Sequence, residues 1–349
     1  MTEPKTRVSI ICPAFQEQEV LPHFHRELSA VLAPLESVYE FEVLYIDDGS
    51  RDNTLAAMKT LATLDARVRV LSLARNFGKE AALQAGLEHA GGELIITMDT
   101  DLQHPPEVIP LLLEKAREPV DLVITVRQEY QKPGWLNQLG TQAFYRVLHS
   151  LSEIEIRRET SDFLLMTRKV ADVLMRMQEK HRFMKGLVHW MGFAYLEVPF
   201  RPNDRALGQT KFSFRQLITL GKDCLFSFSK KPLTLATTFG IITLCVGLIW
   251  ALAALLHFIL QPGEFRLTEH YLIVSSHVLA GAILVTIGIL GEYLGRIWEQ
   301  VRSRPNYLLK YDSESKGNAE RADWKPHHAA FAARNGLAPP GECDESRAR

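Results

Sequence analysis

The chain has 349 residues, with 40 lysines and arginines against 41 aspartates and glutamates, and a formal net charge of −1. This length allows one large domain or two ordinary ones, and the balanced charge gives no indication of nucleic-acid binding. The 4 cysteines show neither a CxxC pair nor metal-site spacing, so reduced thiols in a reducing compartment are the simplest interpretation.

The first 126 residues alternate between short apolar runs and segments with helical spacing. Strands are predicted at residues 8–12, 41–46, 68–73, 94–98 and 122–126, and helices at residues 19–35, 54–64, 79–90 and 106–117. The strand segments are almost continuously apolar, which is typical of strands buried on both faces. The alternation predicts a doubly wound, mostly parallel, Rossmann-like α/β sheet.

Pairs of acidic residues come directly after two of the predicted strands. Asp47 and Asp48 follow the second strand, and Asp99 and Asp101 follow the fourth. In a doubly wound sheet the ligand lies beyond the carboxyl ends of the strands. We therefore expect these carboxylates at the mouth of a ligand crevice.

The segment IITMDTDLQHPP, residues 95–106, ends an apolar strand in oxygen-bearing side chains. Asp99 and Asp101 supply carboxylates, and Gln103 can add a carbonyl ligand. Hard oxygen ligands suit Mg²⁺ or Mn²⁺, which commonly bridge protein carboxylates to the phosphates of a substrate. A divalent metal site is therefore predicted here, with a solvated acidic turn as the alternative.

The sequence lacks the common phosphate-binding loop motifs. Neither a GxxxxGK[ST] loop nor a GxGxxG turn after the first strand occurs, so the metal and cationic side chains must hold them. The candidate cations are Arg75, Lys79, Arg127, Arg205 and Lys211.

Two later stretches, residues 232–263 and 270–291, contain no formally charged side chain. Each reaches or exceeds the roughly 18–20 apolar residues that cross a bilayer. Membrane spans are predicted at about residues 233–260 and 271–295, with two buried core helices as the alternative.

The charged residues around these spans predict their orientation. Lysines and arginines lie before the first span and after the second, whereas the connection at residues 261–270 holds one arginine beside two glutamates. The positive-inside rule then places both flanks in the cytoplasm and the connection outside. The N-terminal MTEPKTRVSI has no apolar signal-peptide core, so both termini are expected to be cytoplasmic.

The chain is thus predicted to divide into four parts. Residues 1–210 form a cytoplasmic sheet domain, residues 211–231 an interfacial amphipathic helix, residues 232–310 a two-helix membrane hairpin, and residues 311–349 a disordered cytoplasmic tail. A core-facing helix is the alternative for residues 211–231.

Several motifs, taken in order, resemble family 2 glycosyltransferases that act on polyprenyl phosphates. They read CPAFQEQEVLP, YIDDGSRDNT, LARNFGKEAALQAGL, MDTDLQHPPEVIP, and RFMKGLVHWMGFAYLEVPF followed by DRALGQTKFSF. The resemblance is closest to bactoprenol glucosyltransferases, with dolichyl-phosphate mannose synthases and 4-amino-4-deoxy-arabinose transferases as relatives. It covers about residues 7–310 and implies a GT-A type fold, with residues 1–210 as the catalytic domain.

The resemblance also implies a donor site. The residues that match positions holding the base and ribose of a nucleotide are Pro13, Phe15, Glu17, Ile46 and Asp48. The residues that match the metal and diphosphate site are Asp99, Asp101 and Gln103, with Thr100 giving a backbone contact. Arg127 matches a donor-side arginine, and we add Lys79 as a cation for the donor phosphates.

On the acceptor side, Asp162 in TSDFLLM matches an acidic residue near the acceptor, and with Asp101 it forms the predicted catalytic pair. Arg205 and Lys211 match cations that bind the acceptor phosphate. The family's Y-x-R-x-x-R stretch differs here, since its first arginine is replaced and Arg201 stands beside that position.

The activity implied is an inverting transfer of glucose from UDP-glucose to undecaprenyl phosphate at the cytoplasmic face of a bacterial inner membrane. The partners are then the nucleotide sugar, the polyprenyl phosphate and the membrane, and a homo-oligomer is compatible with the sequence. A transferase of mannose or amino-arabinose, or a non-catalytic nucleotide-sugar-binding membrane protein, are the alternatives. A processive polysaccharide synthase is disfavoured because its QxxRW motif does not occur.

Overall fold

The computed structural model describes residues 5–128, 160–177, 179–180, 182, 184–203, 231–260, 268–302 and 304–314. Four predictions lie wholly or mostly outside these residues: the interfacial helix up to residue 230, the cations Arg205 and Lys211, the external connection at residues 261–270, and the tail beyond residue 314.

One mixed sheet organises the described part of the chain. Its strands are β1 (Thr6–Ala14), β2 (Tyr39–Asp47), β3 (Val68–Leu73), β4 (Leu94–Thr97), β5 (Leu122–Arg127), β6 (Thr160–Thr167), β7 (Tyr195–Phe200) and β8 (Leu309–Asp312). Their order in space is β7-β5-β6-β4-β1-β2-β3-β8. The β1–β2, β1–β4, β2–β3 and β5–β7 pairs are parallel, whereas β6 runs antiparallel to β4 and β5, and β8 to β3. The prediction of a mostly parallel α/β sheet is confirmed.

Helices cover both faces of this sheet. They are α1 (Leu21–Leu32), α2 (Thr54–Leu64), α3 (Lys79–His89), α4 (Ile109–Lys115), α5 (Arg168–Arg176) and α6 (Met184–Trp190), with 3₁₀ turns at Ala33–Ser37 and Pro106–Val108. Helices α1, α2 and α4 bury apolar side chains in one core, and α3, α5 and α6 in the other. Successive residues of β2 alternate between them: Tyr45 belongs to the first core, and Leu44 and Ile46 to the second.

Two helix boundaries differ from the prediction because of prolines. The predicted helix at 19–35 becomes α1 followed by a 3₁₀ turn that contains Pro34. The predicted helix at 106–117 begins as a 3₁₀ turn, in which Ile109 donates its N–H to the Pro106 carbonyl. Pro110 has no N–H to donate to that carbonyl in the α-helical pattern.

Two long helices, α7 (Lys231–Leu260) and α8 (Thr268–Val301), follow the sheet domain and contact each other. Among the described residues, the segment Val278–Val301 is long and apolar enough to cross a membrane, with a mean hydropathy of 1.9. Both helices expose large apolar side chains, such as Leu252 and Leu284. These observations agree with a membrane-associated region, while the two-span hairpin stays a prediction.

After α8 the chain returns to the sheet through residues 304–314, here called the return segment. Its strand β8 pairs with β3, and the Arg69 guanidinium lies 2.9 Å from the Asp312 carboxylate. Tyr307 is buried and hydrogen-bonds to Glu88 of α3. Residues 309–310 are predicted to end the hairpin region and residues 311–312 to begin the tail, whereas in the structure all four form β8.

Candidate active site

The strand directions bring distant carboxylates together at one edge of the sheet. Because β6 runs antiparallel to β4, its start lies beside the end of β4, where Thr97 pairs with Leu164. The Thr97 hydroxyl donates to the Asp162 carbonyl at 2.6 Å. Asp162, predicted near the acceptor, is therefore held close to Asp99, predicted at the donor diphosphate.

Lys79, the first residue of α3, bridges these two carboxylates. Its Nζ lies 2.7 Å from Asp99 Oδ1 and 2.8 Å from Asp162 Oδ2. Burial opposes the charge of the lysine, but Asp162 and Asp99 outweigh it and raise the pKa of Lys79. Burial likewise acts against the Asp162 carboxylate, yet Lys79 and then Lys185 hold the pKa of Asp162 well below its usual range. Burial also acts against the Asp99 carboxylate, but Lys79 outweighs it and lowers the pKa of Asp99. All three groups are therefore charged near neutral pH.

One oxygen of this cluster has an open coordination position. Asp162 Oδ1 is buried and accepts no hydrogen bond among the described residues, and Lys185 Nζ lies 3.7 Å from it. A buried carboxylate oxygen without a donor is costly in free energy unless a ligand supplies one. The cluster is thus prepared to receive a further cation or hydrogen-bond donor.

His104 positions the backbone of the DTD motif. Its Nδ1 accepts the Asp99 N–H at 2.9 Å, so its Nε2 carries the proton and donates to Ser161 Oγ at 2.8 Å. The ring stacks on Phe163 with centroids 5.3 Å apart. Burial lowers the pKa of His104 to about 4. No role for His104 follows from the sequence, because its position between the motif and two prolines does not reveal a buried side chain.

The neutral state of His104 predicts a dependence of stability on pH. The unfolded histidine has a pKa of 6.5 and the folded one about 4, so between these values the unfolded state binds more protons. Stability is therefore fully present above pH 6.5 and is lost as the pH falls towards 4. Compared with His104→Asn, the wild type should lose on the order of 2 kcal/mol more between pH 7 and pH 5.

Unfolding in detergent at several pH values measures this difference, and the same comparison with His23→Asn provides the control. His23 is exposed on α1, so its replacement should not reproduce the effect of His104→Asn. Equal slopes for the wild type and His104→Asn would show that His104 does not stay neutral in the folded protein.

The backbone after Asp99 has a second unusual feature. Leu102 has a φ of 64°, in the left-handed region that non-glycine residues rarely adopt, and its side chain is buried. The turn is closed by Asp101, whose Oδ1 accepts the Gln103 N–H at 3.1 Å. The predicted metal ligands Asp101 and Gln103 thus flank a locally strained residue and are joined by a hydrogen bond.

A pocket of about 500 Å³ lies beyond the ends of β1, β2 and β3. Phe15, Asp47, Arg75 and Lys310 are among its lining residues. Gly49 also lines it, with a φ of 67°, and a Cβ at this position would lie 2.3 Å from the backbone carbon of Arg75. Only glycine allows this approach, which brings the loops after β2 and β3 together.

The other predicted nucleotide contacts lie around this pocket rather than on its lining. The Asp48 carboxylate accepts the N–H groups of Phe77 and Gly78 at 2.8 and 2.9 Å, and so holds the loop that leads into α3. Ile46 is buried in the core on the α3 side. Asp47, expected at the mouth of the crevice but given no nucleotide contact, lines the pocket and accepts the Ser72 hydroxyl at 2.7 Å.

The remaining donor-site residues support the strand ends. The Thr100 hydroxyl donates to the Pro13 carbonyl at 3.3 Å, which joins the loop after β4 to the end of β1. The Glu17 N–H donates to the Thr54 hydroxyl at 2.9 Å. Arg127 ends β5. Burial, Lys79 and Arg127 lower the pKa of His104, whereas Asp99 opposes them.

The donor set can be tested against the predicted divalent metal. Among the described residues, no three His, Cys, Asp or Glu side chains cluster as a complete metal cage. Mg²⁺ and Mn²⁺ at nucleotide sites need only one or two carboxylates, because substrate phosphates and water supply the other ligands. The all-oxygen set at Asp99, Asp101 and Gln103, with the open Oδ1 of Asp162 nearby, therefore fits such an ion.

Comparisons with known proteins found a matching family model, similar relatives and a similar solved structure. A family model described as Glycosyl transferase family 2 matches residues 9–175. An uncharacterised glycosyltransferase of Synechocystis sp. is 38% identical over 306 residues, covering 86% of this chain and 94% of the relative. The prophage bactoprenol glucosyl transferase homolog of Escherichia coli is 37% identical over 304 residues, covering 87% of this chain and 98% of the relative. A solved mannosyltransferase from Pyrobaculum calidifontis, in complex with GDP-Man and Mn²⁺, has 16% identity and a TM-score of 0.42, covering 82% of this chain and 88% of that one.

Proposed function

The chain belongs to glycosyl transferase family 2 and is a glycosyltransferase, and from this premise we propose that it transfers glucose from UDP-glucose to undecaprenyl phosphate. The observation that carries the proposal is the similarity to a bactoprenol glucosyl transferase homolog over 304 residues, a length that includes the long helices α7 and α8. Because the chain belongs to a family of enzymes, we do not retain the alternative of a non-catalytic nucleotide-sugar-binding membrane protein.

We place the enzyme in the bacterial inner membrane. Helices α7 and α8 would form the anchor, with the sheet domain and both termini in the cytoplasm. The acceptor's hydrocarbon chain lies in the bilayer and its phosphate at the headgroup level, so an anchored sheet domain meets the phosphate without extracting the lipid. The exposed apolar side chains of both helices support this placement.

In the proposed reaction, a phosphate oxygen of the lipid attacks the anomeric carbon of the sugar, and the nucleoside diphosphate leaves from the opposite side. The new bond forms between this oxygen and the anomeric carbon as the bond to the diphosphate breaks, so the configuration inverts. A bound Mg²⁺ or Mn²⁺, held by Asp99, Asp101 and Gln103, would neutralise the departing diphosphate.

Asp162 has a positioning role in this mechanism. A phosphate monoester is already anionic near neutral pH, so its attack needs no strong base. The lowered pKa of Asp162 makes it a weak base, and its contacts are with the cations Lys79 and Lys185. We propose that it orients these cations, and that most of the catalysis comes from orientation and electrostatics.

A panel of nucleotide sugars, each offered separately with undecaprenyl phosphate, tests the proposal. We expect UDP-glucose to give a glycolipid that is heavier than the acceptor by one hexose, detected by mass spectrometry. GDP-mannose or a UDP-amino-arabinose donor should give no product. If only one of those donors gave a product, the transferred sugar would be the sugar of that donor and not glucose. No product from any donor would contradict the proposed acceptor.

Arg205 and Lys211 are proposed to hold the acceptor phosphate. Arg205→Ala and Lys211→Ala should each slow transfer at least about ten-fold in an uncharged detergent, because each loses a charge-assisted hydrogen bond. Attraction to anionic headgroups is absent there, so it cannot account for the loss. Lys115→Ala, at the end of α4 with a side chain that is 38% exposed, is the control. Near-normal transfer by both variants would show that these cations serve the membrane instead.

A further inference from the structure

Strand β8 contains a bulge at Lys310. Leu309 pairs with Leu73 and Tyr311 pairs with Ser72, so Lys310 is an extra residue without a partner in β3. Leu309 packs against the core on the α3 side, and Tyr311 against the core on the α1 side. In a regular strand, residues two apart share a face. The bulge therefore redirects the side chains of this short edge strand, as bulges near ligand sites commonly do.

Lys310 is one of the residues that line the 500 Å³ pocket, together with Asp47 and Arg75. Because β8 runs antiparallel to β3, its first residues lie beside the end of β3, at the edge of the sheet where the ligand crevice opens. A residue that follows the long helices α7 and α8 in sequence thus completes a wall of the pocket.

The strand order decides which part of a donor Lys310 can reach. Four strand spacings separate β8 from β4, which at about 4.8 Å each makes about 19 Å. The predicted diphosphate ligands Asp99 and Asp101 follow β4. Lys310 therefore lies at the far end of an extended nucleotide sugar from the diphosphate. Its ammonium has donors only, so its partner must be an acceptor atom.

We propose that Lys310 binds the nucleoside part of the donor, donating a hydrogen bond to an oxygen of the base or ribose. The inference rests on the proposed nucleotide-sugar donor and adds a residue to its binding site. It makes the return segment part of the donor site: the strand that leads back from the long helices supplies one of the substrate contacts.

Binding of UDP and of uridine to the full-length protein in detergent, with MgCl₂ present, tests this inference. Lys310→Met keeps the aliphatic stem and removes the ammonium, and it should weaken both ligands by about ten-fold. Lys310→Arg should restore most of the affinity. Lys59→Met is the matched control, because Lys59 Nζ lies 4.1 Å from the Tyr311 ring and contacts the same strand outside the pocket lining. It should leave both affinities unchanged.

Weakened binding of UDP with unchanged binding of uridine would place Lys310 on a phosphate and overturn the inference. Unchanged binding of both ligands, or equal losses in Lys310→Met and Lys59→Met, would overturn it as well. Wild-type protein that binds neither ligand would overturn the inference together with the proposed donor. Failure to transfer sugar to undecaprenyl phosphate, with nucleotide binding intact, would contradict the proposed acceptor alone.

Discussion

Replacing Asp101 with asparagine is expected to lower sugar transfer by at least about a hundred-fold while the protein stays folded. The carboxylate is a predicted ligand of the divalent ion, and outer-shell changes at metal sites already cost about 10- to 100-fold. Asp101 Oδ1 accepts the Gln103 N–H, a hydrogen bond that an asparagine oxygen can still accept. Rates with saturating donor, together with the thermal midpoint in detergent, measure the two effects separately.

The control for this substitution is Asp121→Asn. Asp121 precedes β5 at the opposite end of the strands and pairs with Lys169 at 2.8 Å, so its loss should not affect transfer. Chelation with EDTA should abolish the wild-type activity, and added Mg²⁺ or Mn²⁺ should restore it. Full activity of Asp101→Asn, or activity insensitive to EDTA, would show that the metal assignment is wrong.

Replacing Lys79 with methionine is expected to damage both stability and transfer. The substitution leaves Asp99 and Asp162 close together without their shared cation. Removing one partner of a fully buried pair costs about 3–5 kcal/mol. The Lys79 side chain is 39% exposed, so solvent screening should reduce the loss to about 1–2 kcal/mol. Transfer should fall by at least about a hundred-fold, because the carboxylates no longer have a fixed orientation.

A double-mutant cycle with Asp162→Asn isolates the bridge. The double variant should be more stable than the sum of the single losses implies. Neutralising Asp162 removes the carboxylate that the loss of Lys79 would otherwise leave unpaired. Lys185→Met is the comparison variant: Lys185 lies 3.7 Å from Asp162 and makes a longer contact, so its loss should cost less. Additive losses, or equal effects of Lys79→Met and Lys185→Met, would contradict the bridging role of Lys79.

Local sequence patterns predicted much of the fold. Helix α2 and strand β3 begin and end at the predicted residues, because apolar periodicity and flanking polar residues define both. Strand β8 was missed for a physical reason: it has four residues and gains its order from pairing with β3 rather than from its own pattern. Short edge strands of this kind carry little periodicity.

Local sequence patterns predicted less of the site. The resemblance placed Asp162 near the acceptor, but it is the antiparallel direction of β6 that places it beside Asp99. From the sequence, Lys79 was predicted to be a phosphate-binding cation, whereas in the structure it pairs with two carboxylates. Such contacts depend on strand order and direction, and no local spacing encodes them. His104 was missed because burial decides its role.

The position of β8 has a consequence for the time course of folding during synthesis. Arg69 and Asp312 hydrogen-bond across the last strand pair although they are 243 residues apart in the chain. At a synthesis rate of about 5–20 residues per second, β3 would wait roughly 12–50 s for its edge partner. During that interval its backbone N–H and C=O groups lack their partner strand, while α7 and α8 leave the ribosome. Delayed completion of this edge makes the nascent chain susceptible to strand pairing with other chains until the return segment emerges.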